Sequence, residues 1–306
     1  MRHHDIRTVV TLVIAALLAA SPAAADDPQR VEFEGYLFRE VDGDPLPTQS
    51  DQAVEEILKT GEIVSTQKIP VGITRPRKLV LAHEGRQVHA SFKNIDLTEH
   101  KRRDRGPGGN TLYIEWRDWY GYDIAAYRLD RLLGLYRVPP TVERREGSET
   151  GAVSIWLEGT LPERVRQGRE IPPPEYARFN QQKQILRLFD NLIANRDSNL
   201  GNILIDSNWR LWFIDFSRSF GTSKELIYPE QVTHCDRLVL EALRNLDREA
   251  VVEELDEFLT VFEIDALMAR RDKLVEHIES RIAELGEELV LFDNRPPTER
   301  APWGID

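Results

Sequence analysis

Two short stretches of this chain carry the residue types that handle phosphate and a hard cation. The first is Asn195-Arg196-Asp197-Ser198-Asn199-Leu200-Gly201-Asn202, and the second is Leu211-Trp212-Phe213-Ile214-Asp215-Phe216. A carboxylate at the end of an apolar strand such as Leu211–Ile214 is costly unless something compensates its charge. Asp206-Ser207-Asn208 makes a tight turn that folds the second strand back on the first. With Ser207 and Asn208 as the loop, Asp206 faces Trp209 and Asn202 faces Phe213. Asp215 then shares the face of Phe213, diagonal to Asn202. That diagonal is roughly 7–8 Å between side-chain bases, close enough for both to reach one cation. Asp197 sits just past the end of the preceding helix, on a loop beside the pair. Three oxygen-bearing side chains converging at a loop edge are what a magnesium phosphate site requires. The competing reading is a surface hairpin with incidental acids.

These segments also resemble a known pattern. Asn195 to Asn202 resembles the catalytic loop of protein kinases, in which Arg-Asp is followed by four residues and an Asn. Asp215-Phe216-Ser217 resembles their metal-binding Asp-Phe-Gly. Asn before Arg-Asp, and Ile-Asp-Phe at the metal motif, tilt the resemblance towards atypical branches: phosphatidylinositol 3/4-kinase-like, HipA-like and secretory-pathway kinases. The resemblance implies that Asp197 orients or deprotonates an acceptor hydroxyl. It implies too that Asn202 and Asp215 hold magnesium or manganese beside ATP or another nucleoside triphosphate.

Upstream residues extend the resemblance over Gly72–Phe216. Lys93 ends the alternating strand Val88, Ala90, Phe92 and resembles the phosphate-binding lysine; otherwise it is an edge charge. Gly72 and Thr74 precede it where a loop would cover the phosphates, though the full glycine-rich signature is absent and Gly72 also suits a plain turn. The helix Tyr122–Leu133 corresponds to the one whose acid pairs with the lysine. Asp123 is the best-placed acid, Glu115 is the substitute, and Asp123 alone would also suit a helix N-terminus. Ile155–Gly159 is the expected connection between lobes, with the backbone of Trp156 and Leu157 meeting the adenine. Arg218 could touch a phosphate or an acidic acceptor, or make a structural ion pair.

The elements that must position these residues read as follows. A helix is expected over Asp51–Lys59, and strands over Gly61–Ile69, Lys78–Ala82 and Gln87–Lys93, with Glu84-Gly85 turning between the last two. Lys101–Asn110 reads as a charged, glycine-rich loop that either faces an anionic substrate or is simply solvated. Helix Tyr122–Leu133 stops at Gly134. Extended segments follow Pro140 and over Ala152–Leu157. A helix runs from Glu175 to about Ala194, strands cover Asn202–Ile205 and Arg210–Ile214, and helices return from Arg237 to Leu285. In the last, Ile264, Leu267, Leu274, Ile278, Ile282 and Leu285 form a stripe suited to core packing or to a partner helix.

The sequence has 306 residues, 41% hydrophobic and 30% charged, as expected of a globular protein. A net charge of −12 without a long basic tract argues against nonspecific nucleic-acid binding. Arg2 and Arg7, the apolar run from Val9 to about Ala20, and the small residues Ala23–Ala25 describe a secretory signal peptide cleaved after Ala25. The run is short for a membrane span, so a periplasmic or secreted protein is expected. Cys235 is the only cysteine and permits no internal disulfide. It reads as a buried apolar residue rather than a nucleophile. The histidines lack the spacing of a zinc site.

The expected fold is α+β and bilobal, protein-kinase-like. Residues 26–158 form a lobe with an antiparallel sheet and a helix, 159–293 a mainly helical lobe, and 294–306 a tail. The expected function is an exported phosphotransferase acting on a hydroxyl of a protein, glycan or small molecule. The alternative is a catalytically silent protein that keeps the fold and binds a nucleotide or other ligand.

Overall fold

The computed structural model describes residues 37–69, 76–106 and 109–294, with the backbone alone for 101–115. The expected signal peptide, Gly72, Thr74 and the expected tail beyond 294 lie outside the described residues.

Helix α1 (Asp51–Thr60) begins at Ser50, whose hydroxyl accepts the N–H of Ala53. Its spacing brings Val54 and Leu58 to one face, and both are fully buried. Strands β1 (Glu62–Lys68), β2 (Arg77–His83) and β3 (Arg86–Lys93) follow as an antiparallel meander. Period-two alternation puts Leu79, Leu81, Val88, Ala90 and Phe92 in the core beneath α1.

Next comes a ribbon rather than the expected loop. Strands β4 (Asp96–Gly106) and β5 (Gly109–Trp119) pair through Lys101↔Ile114 and Arg105↔Asn110. Lys101–Arg105 is charged throughout and by itself carries no strand preference. Its partner Thr111–Ile114 is β-branched, aromatic and aliphatic, and the ladder carries that preference across.

Helix α2 (Gly121–Leu132) ends at Gly134, which takes φ +63°, a conformation costly for other residues. Strands β6 (Thr141–Glu146) and β7 (Glu149–Ile155) complete a five-stranded sheet ordered β1-β2-β3-β7-β6.

Then come β8 (Leu161–Pro162), α3 (Glu163–Gly168), α4 (Tyr176–Ile193), β9 (Ile203–Ile205) and β10 (Leu211–Phe213). β8 adds to the β9–β10 hairpin as a third strand. The hairpin joins two hydrophobic clusters. Leu211 and Phe213 enter the cluster built on α2 and α4, whereas Trp212 enters the sheet cluster, 6.2 Å from Phe38. Each face of β10 is therefore buried, which explains its continuous apolar run.

Its register differs from expectation by one residue. Leu211 pairs with Ile205 and Phe213 with Ile203, so Asn202 stands level with Ile214. The loop has three residues, not two. The Asp206 carboxylate accepts N–H groups from Asn208 and Arg210 and the indole N–H of Trp212, while Trp209 adopts φ +61°.

Helices α5 (Arg237–Asn245), α6 (Arg248–Leu255), α7 (Val261–Leu285) and the short α8 (Glu287–Val290) close the described helical part. Thr260 and Glu263 form a reciprocal cap at the start of α7. Ile264, Leu267, Leu274 and Ile278 are buried, and α7 packs on α4, so most of the stripe is core; Leu285 is exposed. Cys235 is buried, and burial pushes its thiol up to about 12. Among the described residues no helix is long and apolar enough to cross a membrane.

Candidate active site

Lys93 is the hub. As the last residue of β3 it pairs with Ala152 of β7, beside the first turn of α2. Its ammonium donates to Asp215 Oδ1 at 2.6 Å and lies 2.9 Å from Asp123 Oδ2, and its side chain is 14% exposed. Burial by itself would lower the Lys93 ammonium. The two carboxylates outweigh it and hold the group above the ordinary lysine value.

Asp123 is therefore the lysine's partner, and not merely a helix-end charge. Its second oxygen accepts the backbone N–H of Phe216 at 2.7 Å, which ties α2 to the segment carrying Asp215. Burial raises its carboxyl, with Lys93 opposing. The side chain of Glu115, the substitute candidate, lies outside the described residues.

Asp215 stands two residues beyond the end of β10, at φ +69°, a left-handed conformation that Asp tolerates better than most residues. The expected strand alternation therefore does not extend to it. Nor is its charge uncompensated in the protein alone: Lys93 lowers its pKa, with burial opposing. Phe216 follows and packs edge-on against Phe189 of α4, anchoring the turn.

The loop carrying Asp197 begins where Ala194, at φ +55°, ends α4. Asn195 is buried. Its amide donates to Asp190 at 2.8 Å, and its oxygen accepts the N–H of Asp197 at 3.1 Å. Sequence reading left Asn195 and Asp190 without a role, although an Asn within one turn of a helix-end Asp is a usable signal. The Asp190 carboxyl is pushed up to about 7 by burial, with Ser198 and Asn195 opposing.

Asp197 remains half-exposed. Burial raises its carboxyl, Arg218 lowers it, and the nearby charge of Asp215 raises it again. Asn202 donates its amide N–H to the Asp197 carbonyl at 3.4 Å, which leaves its amide oxygen available. Arg218 makes ion pairs with Asp197 at 2.9 Å and Asp118 at 2.7 Å. Asp118 lies in β5, where no local pattern pointed to it.

Lys93, Asp123, Asn202 and Asp215 line one cavity of about 450 Å³, together with Trp156, Leu157 and Gly159. The N–H of Trp156 is taken by the His89 carbonyl at 3.0 Å. Lys78 lies over the Trp156 ring at 4.4 Å, and Leu157 is buried. Among the described residues no group of three or more His, Cys, Asp or Glu side chains gathers to hold an ion. The donor set of Asn202 and Asp215 still fits magnesium, which keeps few protein ligands and takes phosphate oxygens and water for the rest.

No protein-family model matches the chain, and no curated protein sequence matches it. Solved structures do. A hydra Fam20 protein, solved with a sugar, superposes with a TM-score of 0.59 at 17% identity, over 81% of this chain and 94% of that one. A Golgi casein kinase gives 0.56 at 16% identity, over 81% of this chain and 79% of its own. The Golgi casein kinase with Mn and ADP bound gives 0.56 at 16% identity, covering 80% of each chain. With its α+β architecture and these neighbours, the chain has a protein-kinase-like fold.

Proposed function

We propose that this chain is an exported phosphotransferase that moves a phosphoryl group from a nucleoside triphosphate, with magnesium or manganese, to a hydroxyl acceptor. The observation that carries the proposal is the joint engagement of Lys93 by Asp123 and Asp215 at the wall of the cavity that Asn202 also lines. Export rests on the N-terminal sequence pattern. The neighbours' names, one a Fam20 protein with a sugar and the other a casein kinase, support a hydroxyl on a glycan or a protein. The Mn and ADP in one neighbour support the choice of donor.

In this reading Lys93 exchanges part of its contact with Asp215 for α- and β-phosphate oxygens, while Asp123 keeps the ammonium in place. Asn202 and Asp215 would hold the metal ion, which supplies charge neutralisation for the phosphates when bound. The backbone around Trp156 and Leu157 would meet the base; Gly72 and Thr74 would cover the phosphates. Asp197 orients the acceptor hydroxyl and takes its proton as the new O–P bond forms and the bond to the nucleoside diphosphate breaks.

Two substitutions separate binding from chemistry. Asp215→Asn should abolish magnesium-dependent nucleotide binding in isothermal titration. Asp197→Asn should leave that affinity nearly unchanged and lower label transfer from γ-labelled ATP by about two orders of magnitude or more. Normal metal-nucleotide binding by Asp215→Asn overturns the metal site. A parent that binds nucleotide yet transfers nothing is instead a silent nucleotide-binding protein.

A further inference from the structure

Arg218 directly follows Asp215-Phe216-Ser217 and spans two carboxylates from distant parts of the chain. Its Nε donates to Asp118 Oδ2 at 2.7 Å, and its Nη1 donates to Asp197 Oδ2 at 2.9 Å. The environments of the two acids differ sharply. The Asp118 side chain is 3% exposed and that of Asp197 is 46% exposed. The Asp118 carboxylate also keeps one buried oxygen, Oδ1, without a hydrogen-bond partner among the described residues.

A buried carboxylate in that condition is expensive, and a surface ion pair would not offset it. Its arrangement makes sense if it holds the guanidinium in one place. The backbone supports the same geometry: the N–H of Trp119, next to Asp118, donates to the carbonyl of Ser217, next to Arg218, at 2.8 Å. The Trp116 ring lies 5.6 Å from the guanidinium carbon. Arg218 is thus fixed from the β4–β5 ribbon, and its free end meets Asp197. With Oδ2 engaged, Asp197 has Oδ1 as the oxygen open to an acceptor.

We propose that Arg218, buttressed by Asp118, is the positioning residue for Asp197, and that the root of the β4–β5 ribbon thereby sets the geometry of the base. The inference rests on the reading of Asp197 as the acceptor-side residue. A planar guanidinium can bridge two carboxylates along two N–H directions at once, which an ammonium cannot reproduce with the same geometry. The hydrogen bonds of Arg218 go to Asp118 and Asp197, not to Lys93, Asn202 or Asp215. Its charge reaches Asp215 only through space, so nucleotide binding should change little.

The test uses the full chain with γ-labelled ATP and magnesium, with casein and the chain itself as acceptors. Arg218→Ala should lower turnover about ten- to hundredfold, the size of one lost charge-assisted hydrogen bond, with nucleotide affinity within about twofold of the parent. Millimolar guanidinium should restore part of that turnover, whereas Arg218→Lys should recover little. Asp118→Asn should reproduce the loss in turnover while Arg218 is present, because the buttress is gone. An active parent with an equally active Arg218→Ala overturns the positioning role and leaves the phosphotransferase reading intact. A variant that loses nucleotide binding as well, or gains nothing from guanidinium, has lost general structure and also overturns it. A parent that transfers no label brings down the phosphotransferase reading itself, and the inference with it.

Discussion

Replacing Lys93 by Met should cost stability as well as nucleotide, by an amount set by the carboxylates left behind. Asp123 lies 2.9 Å from the ammonium with its side chain 10% exposed, and Asp215 lies 2.6 Å away but 42% exposed. Stranding a buried charge by removing its partner costs about 3–5 kcal/mol. Solvent screens Asp215, so most of the penalty falls on Asp123. The retained bond from the Phe216 N–H offsets part of it, and a net loss of about 2–3 kcal/mol at about pH 8 follows. The sign of the pH dependence comes from Asp123, whose carboxyl burial already raises against the pull of Lys93. Without that ammonium the folded-state value climbs further, while the unfolded value stays near ~4. A carboxyl raised in the folded state carries no penalty below its unfolded value, and the penalty grows as pH rises towards the folded value. The deficit should therefore shrink towards about pH 4 and be fullest at about pH 8. Urea unfolding followed by tryptophan fluorescence measures it, Trp212 being fully buried. Titration with magnesium ATP should show weakened binding in the same variant. A deficit of equal size at both pH values, or none at the higher one, would refute this account of the pair.

Two further outcomes follow from buried features around the site. Asp190→Asn keeps an oxygen for Asn195 but removes a carboxyl whose burial raises it to about 7. The parent should lose on the order of 2–4 kcal/mol between about pH 4 and pH 8 from this group, and the variant should not; parallel stability curves from thermal melts would contradict the assignment. Gly151→Ala would set a Cβ 2.5 Å from the Lys93 carbonyl oxygen and 2.8 Å from the Phe92 ring. Overpacking there should cost about 1–3 kcal/mol, shift β3 and weaken nucleotide binding. A variant with the parent's melting temperature and affinity would show that β3 yields easily.

Local pattern alone determined much of this protein. The helix at Asp51, strands β2 and β3, the end of α2 at Gly134 and the long helix α4 follow from period, caps and turn residues, all carried by near neighbours in the chain. Lys93, Asp197, Asn202 and Asp215 could be singled out because their order and spacing resemble the kinase pattern, with Asp197 and Asn202 five residues apart and Asp215 following an apolar run. What the sequence left open was pairing across distance. Asp123 became the partner of Lys93 only once α2 lay against the end of β3. The Asp206 carboxylate lengthened a hairpin loop by one residue and moved Asn202 level with Ile214, since register depends on hydrogen bonds inside the turn rather than on alternation outside it. The ribbon at 96–119 formed because a charged strand takes its stability from the strand opposite. Arg218 met Asp118 and Asp197 across 100 and 21 residues of chain. A carboxylate's partner is whatever cation the fold delivers to it, and for these groups that delivery was made by packing between the sheet, the β4–β5 ribbon, α2 and the β9–β10 hairpin, which only the tertiary structure decides.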